Sequence, residues 1–348
     1  MTQLIDSARS RLWDVVNELA TIKPTPVLRV GLLTYGTPGN SSAKNGWVVR
    51  QLDLTSDLDE VYAKMMAMTT SGGDEYVGWV LNDAVEEMSW TSDPRALKIV
   101  WVAGNESADQ ARSSFDFRYV AETAQAKRII INSIYAGNRQ QGINEMWHEV
   151  ASHGKGSYSA IDMAQGTIQI QTPYDKRLSE LNATLNDTYI AFGQQGREMK
   201  RRQSLQDANA AQMGVEAEAS RVAAKSTRLY TNDFWDLVDA SKKKDFDLDD
   251  IDTKDLPAPM QTMTRDEQVA YMEGKAAERA TVQSQIQEIN NDRQRFIKNE
   301  REKSKTADKK GLGDAMLAAL RQQALDSGFN IDDGETKSDT KSKKKEKK

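Results

Sequence analysis

The sequence predicts an α/β protein: a doubly wound, mostly parallel sheet with helices on both faces, then a mainly α-helical charged extension and a disordered Lys-rich tail. Three observations carry this. Short apolar runs alternate with stripes of helical period through residues 1–193. The aromatics concentrate there, 17 of the 24 Phe, Trp and Tyr. Charge concentrates in the other half, where residues 194–348 hold 30 of the 47 Lys and Arg and 29 of the 52 Asp and Glu.

The first element is a helix, because Leu4, Ile5, Ala8, Leu12, Val15, Val16 and Leu19 recur at three- and four-residue steps. Pro24 and Pro26 end it, and Val27–Tyr35 reads as a mostly buried strand. A Gly/Asn/Ser loop, Gly36–Gly46, leads to an alternating strand over Trp47–Leu54. A helix starts at Asp57. Ser71–Glu75 breaks the chain, and Tyr76–Met88 forms the next helix. Leu97–Gly104 and Arg128–Tyr135 are apolar strands separated by a helix around Tyr119–Ala126. A helix at Ile143–Ser152 and a short strand at Ser157–Ile161 follow.

Apolar strands alternating with helices demand a parallel sheet covered on both faces, with ligands at the carboxyl ends of the strands. The loops that matter are then Gly36–Gly46, Thr69–Glu75, Gly104–Gln110 and Ala136–Gln141.

The first unit is assigned to residues 1–193 and a helical extension to 194–240, where Phe234–Val238 is the one dense apolar cluster. An acidic, Pro-containing linker occupies 241–262. A helical region spans 263–330, opened by Thr264-Arg265-Asp266-Glu267, the spacing of a capping box. The basic tail 331–348 cannot bury a core.

Composition removes several function classes. With no Cys there is no disulfide framework, thiolate zinc site, iron–sulfur cluster or cysteine nucleophile. No apolar run approaches the ~20 residues of a membrane helix. Residues 1–22 lack the layout of a signal peptide, so the chain as given reads as cytoplasmic. The Lys-rich tail lacks interleaved aromatics and the folded unit is acidic, so no specific nucleic-acid partner is expected.

Motifs for chemistry are sparse. His148 and His153 are five residues apart, ~140° around a helix, and cannot share a metal as partners four apart do. Asp245-Phe246-Asp247-Leu248-Asp249 begins like a calcium loop, but Asp250 and Leu256 stand where Gly and Glu are needed. No phosphate loop or dinucleotide fingerprint occurs. No catalytic or cofactor-binding residue is assigned, and no enzyme is expected.

Several segments, in order, resemble a von Willebrand factor A-type (vWA) domain of a bacterial branch with a helical C-terminal extension. They are Leu4-Ile5-Asp6-Ser7-Ala8 with Leu12-Trp13, and Lys23-Pro24-Thr25-Pro26 leading to Arg29-Val30-Gly31-Leu32. Gly72-Gly73-Asp74-Glu75, Met88-Ser89-Trp90, Asp93-Pro94 and Val102-Ala103-Gly104-Asn105-Glu106 continue the series. Ile130-Ile131-Asn132-Ser133-Ile134, Gly137-Asn138 and Thr172-Pro173-Tyr174-Asp175 complete it.

The resemblance implies a Rossmann-like sheet and a protein-binding function through a metal-ion-dependent adhesion site. That site takes an Asp-x-Ser-x-Ser or Asp-x-Thr-Gly-Ser motif after the first strand, a Thr from a second loop and an Asp from a third. Such oxygens suit Mg²⁺.

This chain departs from the pattern, since the first strand and its motif would precede Met1. The resemblance places Asp74 where Thr is usual and Asn105 where Asp is usual, leaving these two as residual metal donors, with Thr69 and Thr70 as supporting groups. It follows that this chain carries no cofactor, and that Mg²⁺ enters only if an upstream motif is restored. A restored segment would also shift the expected location toward the periplasm or outside the cell. A missing first strand would leave Val27–Tyr35 and Leu97–Gly104 with unmatched backbone groups. The expected function is thus a non-enzymatic protein-binding module with a degenerate or truncated metal site. The alternative is a scaffold protein that assembles through helices or a coiled coil of its C-terminal half.

Overall fold

The computed structural model describes residues 2–36, 42–70, 72–110, 114–161, 170–303 and 312–332. Of the tail expected over 331–348, residues 333–348 lie outside them, as do residues 37–41 of the first loop and Ser71.

In the N-terminal half, helix α1 (Thr2–Ala20) is followed by β1 (Ile22–Lys23), β2 (Val30–Thr34), α2 (Ser42–Asn45), β3 (Val49–Thr55), α3 (Leu58–Ala67) and α4 (Val77–Glu86). Next come β4 (Lys98–Gly104), α5 (Phe117–Ala126), β5 (Ile129–Ala136), α6 (Arg139–Asn144), α7 (Trp147–His153) and β6 (Lys155–Ile161). The second half is helical: α8 (Asp175–Asn186), α9 (Gly196–Met213), α10 (Val215–Lys225), α11 (Leu237–Ala240), α12 (Ala258–Gln261), α13 (Arg265–Lys303) and α14 (Leu312–Asp326), before a short β7 (Asn330–Ile331). Among the described residues no helix is long and apolar enough to cross a membrane.

Strands β4, β5 and β6 form a parallel three-stranded sheet in that order, flanked by helices. Strands β2 and β3 form a separate antiparallel pair. The first strand is shorter than its apolar run suggests. Val27 is 92% exposed, and pairing begins only at Val30, after Pro26, which has no amide to donate. The single helix expected over Ile143–Ser152 is two, because Met146 adopts a left-handed φ of 67° that no helix continues. Local signals hold elsewhere: Asp57 caps α3 by accepting from Glu60 N at 2.9 Å. Before α13, Thr264 N donates to Glu267 Oε2 at 2.8 Å and Glu267 N returns to Thr264 Oγ1 at 3.4 Å.

Two helix layers enclose the strands. Helices α4, α5 and α7 bring Leu81, Phe117 and Trp147 onto Val102, Ile131 and Tyr135. On the opposite face, Leu4 of α1 and Met316 of α14 pack with Trp101, Ala103 and Ile134. The described residues beyond 193 pack against the first half. Helix α10 packs along α1 and α8, α9 on α3, and α14 on β6, while β7 pairs with β1 through Ile22 and Ile331. The buried side of α13, with Met272, Val282 and Ile286, faces α8, α10 and α11 of the same chain.

Buried ion pairs join the halves. Arg221 of α10 donates to Asp59 of α3 at 2.8 Å and to Asp207 of α9 at 2.6 Å, and lies 4.6 Å over the Trp13 ring. Tyr230 Oη reaches Asp59 at 2.6 Å, and Lys225 reaches Asp207 at 3.0 Å. Farther along, Arg279 of α13 pairs with Asp236 at 2.6 Å and donates to Thr188 O at 2.7 Å. Arginine's planar fork lets each guanidinium meet several fixed acceptors, which a buried charge requires.

Candidate functional site

The carboxyl end of the parallel sheet gathers the loop before α4, the loop after β4 and the end of β2. Gly36 turns the chain after β2 at φ 66°, a conformation glycine adopts without strain. Gly104 ends β4 in a tight spot, where a Cβ would stand 2.6 Å from Tyr35 Oη, 2.7 Å from Trp147 Cζ2 and 2.8 Å from Glu75 Oε2. Only glycine lets these three side chains converge.

Asp74 and Asn105 are both exposed at this end, and one bond connects their loops: Asn105 N donates to Glu75 Oε2 at 3.3 Å. Asp74 itself accepts from Tyr76 Oη at 3.0 Å. Thr69 and Thr70 are exposed, and Thr70 Oγ1 lies 3.2 Å from Thr2 Oγ1.

These residues do not fit Mg²⁺ by themselves. The ion takes six oxygens in near-octahedral geometry, usually with one or two carboxylates and several waters. Here the Asp74 carboxylate is engaged by Tyr76, and Asn105 adds only a neutral amide. Among the described residues no group of three acidic or histidine side chains could hold a metal.

The residues that organise this end are ones the sequence did not single out. Burial raises the Glu75 carboxyl above the usual range; the Asn105 amide opposes this and Glu106 adds to it. The Tyr35 phenol is held well above its ordinary value, chiefly by burial and then by Glu75 and Glu106. It stays protonated and donates to Ala103 O at 2.6 Å. Trp147 Nε1 donates to Glu106 O at 2.7 Å, fixing the loop after β4 from beneath. The position of Tyr35 beside the loop glycine Gly36 was the one available signal.

The histidines take no part in a shared site: His148 stacks edge-on against Tyr158 and His153 against Phe117. A cleft of about 490 Å³ opens at the far, amino end of β4, lined by Met88, Trp90, Lys98, Lys127 and Arg128 among others. Its cations are engaged, Lys127 with Glu86 at 2.6 Å and Arg128 with Pro94 O at 3.2 Å.

The site therefore offers a polar rim at the carboxyl end of a parallel sheet, built from Asp74, Glu75 and Asn105. Comparison with family models, with curated proteins and with solved structures gives no match to this chain.

Proposed function

We propose that the chain is a non-enzymatic protein-binding module of vWA type whose metal-ion-dependent adhesion site is degenerate or truncated. The observation that carries this is the meeting of the Asp74–Glu75 and Asn105 loops at the carboxyl end of β4, joined by the Glu75–Asn105 bond. These are the second and third loops of the resemblance, arriving side by side on a helix-flanked parallel sheet, where such sheets bind ligands. The loops present polar, exposed groups rather than an enclosed cavity, which suits a protein surface better than a small substrate.

The scaffold alternative needs a free apolar stripe on α13. That stripe is covered by α8, α10 and α11, so assembly with other chains would fall to the outer, polar side.

A photo-crosslinking side chain at Asn105 tests the reading, with one at exposed Lys254 as control. Discrete protein adducts from Asn105 and none from Lys254 are expected in the native host. Equal adducts at both positions, or none at Asn105, would contradict it. In calorimetry with Mg²⁺ or Mn²⁺ this chain should show no tight binding, and tight binding would overturn the degenerate site.

A further inference from the structure

The cleft of about 490 Å³ at the amino end of β4 has a size ordinary for a small-molecule site. It opens where α4 and α5 end and β4 and β5 begin. Part of its wall is apolar, from Val85, Met88, Trp90 and Pro94. The Trp90 ring is half-buried and held in place, because its Nε1 donates to Ala84 O at 2.8 Å.

Charge is uneven around the rest of the wall. Lys98, Lys127 and Arg128 line the cleft against one carboxylate, Glu86. Lys127 and Glu86 pair at 2.6 Å, which leaves Lys98 and Arg128. Among the described residues each of these two side chains makes one hydrogen bond, Lys98 Nζ to Lys127 O at 3.3 Å and Arg128 Nη1 to Pro94 O at 3.2 Å. Neither meets a carboxylate. The acids nearby are taken, Asp93 by Arg95 at 2.9 Å and Asp53 by the amide and hydroxyl of Ser89. Two cations with N–H donors to spare therefore line a cleft beside an indole.

The backbone adds an independent observation. Arg128 follows the last turn of α5 with a left-handed φ of 58°, and its N–H closes that turn on Gln125 O at 2.9 Å. Helices commonly end this way on glycine, which takes the conformation without strain. An arginine there accepts strain, and what it gains over glycine is a guanidinium at the cleft.

We propose that this cleft binds a small planar organic anion, an aromatic ring carrying one carboxylate. The ring lies against Trp90 and the apolar wall, and the carboxylate meets the guanidinium of Arg128 and the ammonium of Lys98. A bare inorganic anion would leave the apolar wall uncovered. A phosphate ester brings a second negative charge, and the carbonyl ends of α4 and α5 close on this cleft, where added negative charge is disfavoured. A monoanion suits two cations in that setting. The cleft lies at the other end of the sheet from Asp74 and Asn105, so its occupancy is independent of the vWA-type reading.

The test uses the full chain with cinnamate as probe, followed by residue-resolved NMR. Cinnamate should bind in the low millimolar range or tighter. It should shift amides of residues 88–98 and 127–128 and leave those of Asp74 and Asn105 unmoved. Cinnamamide, with the same ring and no charge, and phenyl phosphate should each bind about fivefold more weakly or worse.

Arg128→Gly separates a binding arginine from a merely structural one. It removes the guanidinium and relieves the left-handed backbone, so affinity for cinnamate should fall about tenfold while the melting temperature holds or rises. An arginine that serves only to tie Pro94 would give the reverse, a lower melting temperature with unchanged affinity. Lys98→Gln leaves that turn intact and decides the matter if both fall; it should weaken cinnamate about fivefold. Failure of cinnamate to bind, equal binding of cinnamamide, or full affinity in Lys98→Gln would overturn the proposal. Tighter binding of phenyl phosphate than of cinnamate would overturn the carboxylate.

Discussion

Single residues set how the molecule responds to acid and to truncation. Burial alone would raise the Asp207 carboxyl, but Lys225 and Arg221 outweigh it and hold the group well below the usual carboxylate range. The native state then binds fewer protons than the unfolded chain, so this stabilisation is present above pH ~4 and lost as pH falls below that. Asp207→Asn should lower stability at pH 7 and flatten the acid limb in melts between pH 2 and 5. Glu75 has the opposite sign. Its folded carboxyl titrates above the unfolded one, so stability declines as pH rises through the folded value. Glu75→Gln should therefore raise the melting temperature at pH 7 and leave it unchanged near pH 3. A fall at pH 7 would mean the Asn105 bond outweighs the burial of the charge. Trp235, 2% exposed and stacked on Tyr189 at 5.7 Å, is the anchor of the one apolar cluster legible in the extension. Trp235→Ala should cost about 3–5 kcal/mol in denaturant titration.

At the scale of elements, α14 shows why a late helix matters to an early sheet. Gln323 donates to Asn132 Oδ1 at 2.6 Å from a helix that covers the face of β4 to β6 opposite α4 and α5, and Asn132 in turn holds Ser157 N at 2.7 Å. Gln323→Ala strands buried amide atoms and should cost about 1–3 kcal/mol, measurable as a shift of the denaturation midpoint without a change of slope. The alternation of β4, α5, β5 and β6 was legible in the sequence because buried parallel strands are apolar runs. The capping box at Thr264 and the cap at Asp57 were legible because they depend on neighbours a few residues away. The break at Met146 was not, since nothing in its side chain announces a left-handed backbone. Nor was the antiparallel pairing of β2 with β3 apart from the other strands, which depends on what lies beside each edge rather than on either strand's own residues. At the candidate site, Asp74 and Asn105 were named from resemblance, whereas Glu75 and Tyr35 emerge only once burial and the approach of two loops are known.

For the whole molecule, the charged second half is bound to the first through buried guanidinium groups: Arg221 pairs with Asp59 of α3, Arg293 with Asp175 of α8 at 2.9 Å, and Arg279 donates to Thr188 O at 2.7 Å. Removing one partner of such a pair leaves an uncompensated buried charge, at a cost of about 3–5 kcal/mol. Asp59→Ala should therefore destabilise both halves together, seen as a joint shift of the tryptophan signal and of helical ellipticity. Two separated transitions would show that the halves fold independently. The separation of the β2–β3 pair from the parallel sheet is the other whole-molecule feature, since among the described residues β2 pairs only with β3 and β4 only with β5, while helices pack on both strands. Residue-resolved hydrogen exchange on the 348-residue chain reads this directly. Amides of β2 and β4 that do not point to β3 or β5 should exchange near the rate of local opening, while β5, paired on both sides, should exchange only at the rate of global unfolding. Uniform slow exchange across β2, β4 and β5 would contradict that separation.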